Sequence, residues 1–154
     1  MSVLECSSNG CKMFSAFYAK VKVFNVLDSI ENHYQKSKAF LQENGTYKTY
    51  TNWRDVKGKK PDAFLINGEY MSLEYGIMFY DLLWYKYLKE NPQYIEYLAK
   101  YDDYKDTFRS KNSLVCQADS IRKFMQDEKN NKYPPELRGK ALYDSCKPLL
   151  KRMK

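Results

Sequence analysis

No apolar run in this 154-residue chain approaches the length that crosses a bilayer. The N-terminal Met1-Ser-Val-Leu-Glu5 has neither the basic start nor the apolar core of a secretory signal. The expectation is a soluble, cytoplasmic protein that uses no membrane. Cysteine is sparse: Cys6, Cys11, Cys116 and Cys146 are too few and too scattered for a disulfide framework in a chain this long, so reduced thiols are expected. They form no C-x-x-C knuckle, and His33 is the only histidine, so no metal site is expected. Glycine-rich phosphate loops, H-E-x-x-H, G-x-S-x-G and kinase signatures are all missing, which leaves kinase, zincin and serine-hydrolase chemistry without local support. There is no internal repeat, low-complexity tract or heptad run.

What is present suits one globular domain. The length allows a core without staples, and 44% hydrophobic residues, with 16% aromatic, argue against disorder. Fifteen tyrosines give much of that apolar matter a polar handle, as expected of half-buried or ligand-stacking positions. A net charge of +7 favours anionic partners such as nucleotides or nucleic acid.

Between Lys12 and Phe24 the residues Phe17, Ala19, Val21 and Val23 alternate with polar neighbours, the period of a half-buried strand. Asp28 then opens a predicted helix to about Glu43, with Asn44-Gly45 as its C-cap and Ile30, Tyr34, Ser37 and Leu41 facing inward. Lys57-Gly58-Lys59-Lys60-Pro61 reads as a basic loop able to meet phosphates. Ala63 to Ile66, Asn67-Gly68 and Glu69 to Met71 spell a hairpin with a type I′ turn. Ser72 caps a long helix to about Glu90, which Asn91-Pro92 ends. Its Leu73, Ile77, Tyr80, Trp84, Tyr87 and Leu88 recur at core spacing. Shorter helices are predicted from Pro92 to Tyr101 and from Leu114 to about Lys129. Residues 1–134 form the predicted domain, and 135–154 a basic amphipathic helix packed on it. The fold class is α+β, helix-rich with a small sheet.

The most informative stretch is Asp28-Ser-Ile-Glu31-Asn-His-Tyr-Gln35-Lys-Ser-Lys38, because spacings of four and three stack an acid, an amide and a cation on one helical face. Facing a cleft, such a stripe can protonate, orient and hold a polar ligand. Facing water, Asp28 and Glu31 are simply a capping box. His33 lies on the opposite side of that helix from Glu31, which makes a nucleophile-histidine pair improbable.

Ser29-Ile-Glu31-x-x-x-Gln35-x-x-Lys38-x-Phe40 resembles the S-x-E-H-x-x-Q-A-x-K-F signature of the NADAR (YbiA-like) family, whose members act on N-glycosidic bonds. Upstream, Phe14-Ser15-Ala16-Phe17 resembles the family's F-S-N-F element, with Ala16 in place of asparagine. Downstream, Lys111-Asn112-x-Leu114 followed by Ile121-Arg122 resembles its K-N-x-L-G helix, with Val115 in place of glycine. The family's W-G-x-G loop is missing, and Asp106 and Phe108 occupy roughly its place. For the family's Gly-Arg pair and tryptophan there are only Gly58-Lys59 and Trp53.

The resemblance implies removal of ADP-ribose from guanine bases in nucleic acid, with some relatives carried by phages against ADP-ribosylating toxins. It also implies a site. Glu31 supplies acid/base chemistry, while Lys38 contacts sugar or phosphate or, if burial lowers its pKa, forms a transient imine with an opened ribose. Gln35 orients hydroxyls, Ser15 hydrogen-bonds the ligand, and Phe14, Phe17 and Tyr34 build a stacking wall. Asn112 and Arg122 close the far side, and Lys57, Lys59 and Lys60 meet nucleic acid. No cofactor is implied. The expected partner is an ADP-ribose-containing nucleotide or ADP-ribosylated DNA. Phosphorylated riboflavin-pathway intermediates, non-catalytic sequestration of an ADP-ribose-like nucleotide, and a DNA-binding accessory that uses the basic tail are the alternatives.

Overall fold

The long helix that Ser72 begins is the spine of the molecule. The computed structural model describes residues 1–109 and 113–129, and within them the chain runs β1 (Val3–Glu5), β2 (Lys20–Val23), β3 (Val26–Ser29), α1 (Ile30–Ser37), β4 (Lys38–Leu41), β5 (Tyr47–Lys48), β6 (Ala63–Ile66), β7 (Glu69–Met71), α2 (Leu73–Lys89), α3 (Pro92–Leu98), β8 (Asp103–Lys105) and α4 (Gln117–Lys129). Short 3-10 turns occupy Lys12–Phe14 and Trp53–Asp55. This is a mixed α+β domain with small sheets. Asn112 and the expected 135–154 helix lie outside the described residues.

α2 buries Trp84, Leu83, Leu88 and Leu82 almost completely, and Ile30 and Tyr34 from α1 and Ile121 and Phe124 from α4 join them in one core. At about 1.5–3 kcal/mol for each large apolar side chain, that burial is the main stabilising term. Gly76 lets α2 approach the sheet, since any Cβ there would fall within the Phe64 ring. The sheet has the order β5-β4-β6-β7, all antiparallel. Its β6-β7 turn carries positive φ at Asn67 (49°) and Gly68 (83°), as a type I′ turn requires. β2 and β3 form a second hairpin, turning at Phe24 and Asn25, and β1 pairs in parallel with β8.

Two elements differ from the sequence expectation. The strand expected from Lys12 begins only at Lys20, because Ser15 O accepts from both Tyr18 N (3.0 Å) and Ala19 N (2.8 Å) and so folds the preceding segment into turns. The helix expected to reach Glu43 ends at Ser37. There Lys38 turns extended (φ −62°, ψ 130°), and β4 pairs Lys38 with Phe64 and Ala39 with Ala63. Asn44-Gly45 belongs to the β4-β5 turn, closed by Gln42 N to Thr46 O at 2.7 Å, and Leu41 is exposed. Strand pairing overrides a helical period that tertiary contacts do not support.

Candidate active site

α1 starts one residue later than its capping pattern suggests, and this frees its acid. The N-cap is Ser29, whose Oγ accepts from Asn32 N at 3.0 Å, while Asp28 accepts from Ser29 N and Asn32 Nδ2. The remaining N-terminal donors find the preceding turn: Ile30 N bonds Ala19 O and Glu31 N bonds Ala16 O, both at 2.9 Å. Ala16 N in turn donates to Gln117 Oε1 at 2.7 Å, which ties the turn to α4. Glu31 therefore has no capping duty and faces a cavity of about 400 Å³.

Glu31, Gln35 and Lys38 all line this cavity and all are more than nine-tenths buried. Glu31 Oε1 accepts from Gln35 Nε2 (3.1 Å) and Lys57 Nζ (3.0 Å). Gln35 Oε1 is buried without a partner among the described residues, an acceptor open to a ligand hydroxyl. Lys38 sits at the α1-β4 junction, and that kink brings its side chain to the cavity. Its Nζ donates to Lys59 O (2.9 Å) and lies 5.5 Å from the Tyr34 ring centre. Burial lowers the Lys38 pKa from 10.5 to about 8; Lys57 pushes the same way and Glu31 opposes. The free amine thus becomes accessible at a pH well below the ordinary lysine range, the condition for a nucleophilic lysine.

Phe17, Tyr34, Lys57, Lys59 and Lys60 also line the cavity. Phe14 does not: it is fully buried and its ring packs on Tyr97 (5.7 Å) and Tyr94 (6.0 Å), so it is core and not a stacking wall. Ser15 is fully buried away from the cavity lining, because the turn that its carbonyl organises points its side chain inward. Arg122 is likewise elsewhere. Its guanidinium is spent on Asp103 (2.8 Å), Asp119 (2.7 Å) and the Tyr104 carbonyl, which clamp α4 to β8. The cation that lines the cavity from this region is Arg109, paired with Asp119 at 3.0 Å.

A second carboxylate, Asp106, also lines the cavity. Burial raises its pKa, while Phe108 N (2.9 Å) and Gln117 Nε2 (3.0 Å) hydrogen-bond it. Neither Asp106 nor Arg109 was assigned a role from the sequence; the available signal was that Asp106 stands where the W-G-x-G loop is missing. Among the described residues the cavity presents five cationic residues, Lys38, Lys57, Lys59, Lys60 and Arg109, against the two carboxylates. That balance suits a ligand carrying a diphosphate. His33 takes no part in it, with Nε2 placed 2.8 Å from Val21 O on the other side of α1.

The family model of the DarT1-associated NADAR antitoxin matches residues 1–143. The chain belongs to this NADAR antitoxin family. NADAR antitoxins are ADP-ribosylguanine N-glycosidases that remove ADP-ribose from guanines of DNA and so counteract the DarT toxin. The setting that the family supports is a toxin and its antitoxin; the match lends no support to the phage context suggested by the resemblance. No curated protein matches the chain. Among the described residues no helix is long and apolar enough to cross a membrane.

Proposed function

We propose that this antitoxin cleaves the bond between ADP-ribose and guanine with Glu31 as general acid and base and Lys38 as nucleophile, acting on a modified guanine in a DNA strand. The observation that carries the reading is the shared cavity of Glu31, Gln35 and Lys38, in which the lysine pKa falls to about 8. The Lys38 amine attacks the anomeric carbon as the bond from that carbon to guanine breaks. The bonding pair goes to the guanine nitrogen, which takes from Glu31 the proton that the Lys38 ammonium passes to that carboxylate on becoming a free amine. The amine passes its extra proton to the Glu31 carboxylate, which delivers it to the ring oxygen as the bond from that oxygen to the anomeric carbon breaks and the ribosyl-lysine opens to an imine. Glu31 then deprotonates the water that adds to this imine, and departure of the Lys38 amine frees ADP-ribose.

Gln35 Oε1 accepts from a ribose hydroxyl, Tyr34 and Phe17 bound the sugar and base, and Arg109 with Lys57, Lys59 and Lys60 holds the phosphates. Ser15 shapes the turn under α1, and Asn112 remains a candidate for the far wall. Borohydride added during turnover of an ADP-ribosylated guanine oligonucleotide should reduce the imine and leave an ADP-ribose adduct on Lys38. Turnover with no adduct on Lys38 would mean that the ammonium only grips the anion.

A further inference from the structure

Three rings contribute nothing to the buried core, yet each carries a cation: Phe17 on the cavity lining, Trp53 against it, and Tyr50, whose ring stands edge-on to Phe40 at 5.8 Å. Lys57 Nζ lies 4.6 Å from the Phe17 ring centre, the Arg54 guanidinium 4.8 Å from Trp53, and Lys48 Nζ 4.8 Å from Tyr50. None of Phe17, Trp53 and Tyr50 belongs to the core cluster or packs against it. Phe17 and Lys57 line the cavity, and the Trp53 ring stands edge-on to Phe17 at 5.3 Å, one ring further out. Tyr50 precedes Trp53 by three residues, so their Cα atoms are no more than about 11 Å apart.

The Trp53 turn is held in place. Asn52 Oδ1 accepts from Arg54 N (3.0 Å), and Trp53 O accepts from Lys57 N (2.9 Å). From Tyr47 to Lys60 the only carboxylate is Asp55, against Lys48, Arg54, Lys57, Lys59 and Lys60. A row of accessible rings interleaved with cations, leading into an anion-binding cavity, matches what an unpaired nucleic-acid strand requires: faces for its bases and charges for its phosphates. A duplex keeps its bases stacked inside and cannot use the rings.

We propose that Tyr50, Trp53 and Phe17, with Lys48, Arg54 and Lys57, form a track for single-stranded DNA that stacks the bases flanking the modified guanine and feeds that nucleotide into the cavity. This rests on the N-glycosidase reading above, and the experiment separates the two. Trp84 is fully buried, so Trp53 is the tryptophan whose fluorescence responds to stacking. An unmodified single-stranded oligonucleotide should quench it, whereas the same sequence as a duplex should not.

Trp53→Ala should raise KM for an ADP-ribosylated single-stranded oligonucleotide on the order of tenfold to a hundredfold, leaving kcat and hydrolysis of ADP-ribosylated guanosine monophosphate unchanged. Arg54→Gln, at an exposed side chain, should lower the salt slope of oligonucleotide binding by about 0.7. Equal losses on oligonucleotide and mononucleotide would overturn the track and place the adenine of ADP-ribose at Trp53. An unchanged oligonucleotide KM in Trp53→Ala, or equal quenching by duplex, would also overturn it. Failure of the wild-type protein to hydrolyse either substrate would instead refute the N-glycosidase reading, leaving the quenching result to decide on the track.

Discussion

Replacing Lys38 with methionine should make the protein more stable and inactive at once. The lysine is 5% exposed, and the fall in its pKa from 10.5 to about 8 means that its charged form is disfavoured in the fold by about 3 kcal/mol, at about 1.4 kcal/mol per pH unit. Methionine keeps the unbranched apolar stem and removes the charge. The hydrogen bonds to Lys59 O and to Val56 O are lost, but Lys59 is exposed, so water can replace the ammonium there, and buried Val56 O keeps the Lys59 N donor at 3.0 Å. The net gain at pH 7 should be about 1–3 kcal/mol. The sign with pH is definite. A lysine with a lowered folded pKa leaves the unfolded chain holding more protons between pH 8 and 10.5, so wild-type stability gains from this group as pH rises through that window. The advantage of Lys38→Met should therefore be full at pH 7 and shrink towards pH 10.5. Urea unfolding of both proteins at several pH values measures it. A variant less stable than wild type at pH 7, or an advantage that does not change with pH, would refute the claim that a buried, strained charge is kept for chemistry.

Gly76→Ala should destabilise by about 1–3 kcal/mol or more, read as a lower urea midpoint, because the new methyl overlaps the fully buried Phe64 ring; a neutral result would mean that α2 can back away from the sheet. Asp106→Asn should lower stability by about 1–3 kcal/mol and slow turnover. Gln117 Nε2 would then face the new amide group, and its Oε1 is committed to Ala16 N. Unfolding and rate measurements on the variant test both effects.

Local chemistry made parts of this molecule readable. Asn67-Gly68 supplies the left-handed backbone of a tight hairpin, so β6 and β7 follow from residue type. Trp84, Leu88 and their neighbours keep one helical period for long enough to specify α2. Glu31 and Gln35 are one turn apart on α1, and their common direction was visible for the same reason. Lys38 reached the expected cavity by another route, since it is the first residue of a strand.

What stayed hidden depended on contacts between distant segments. The Lys38–Leu41 stretch is extended because Ala63 and Phe64 lie beside it. Phe14 turned inward because Tyr94 and Tyr97 of α3 receive it, and Arg122 is occupied because β8 brings Asp103 within 2.8 Å. Asp106 and Arg109 enter the cavity from a loop with no periodic signal, so only the folded chain reveals them.

The central claim is that Glu31 and Lys38 act together within one cavity on an ADP-ribosylated guanine. Chromatographic measurement of ADP-ribose released from a guanine-modified oligonucleotide by wild type, Glu31→Gln and Lys38→Met tests it directly. The account predicts release by the wild-type protein, and in each variant a loss of about a hundredfold or more with the fold retained. Wild-type rates in both variants would contradict it.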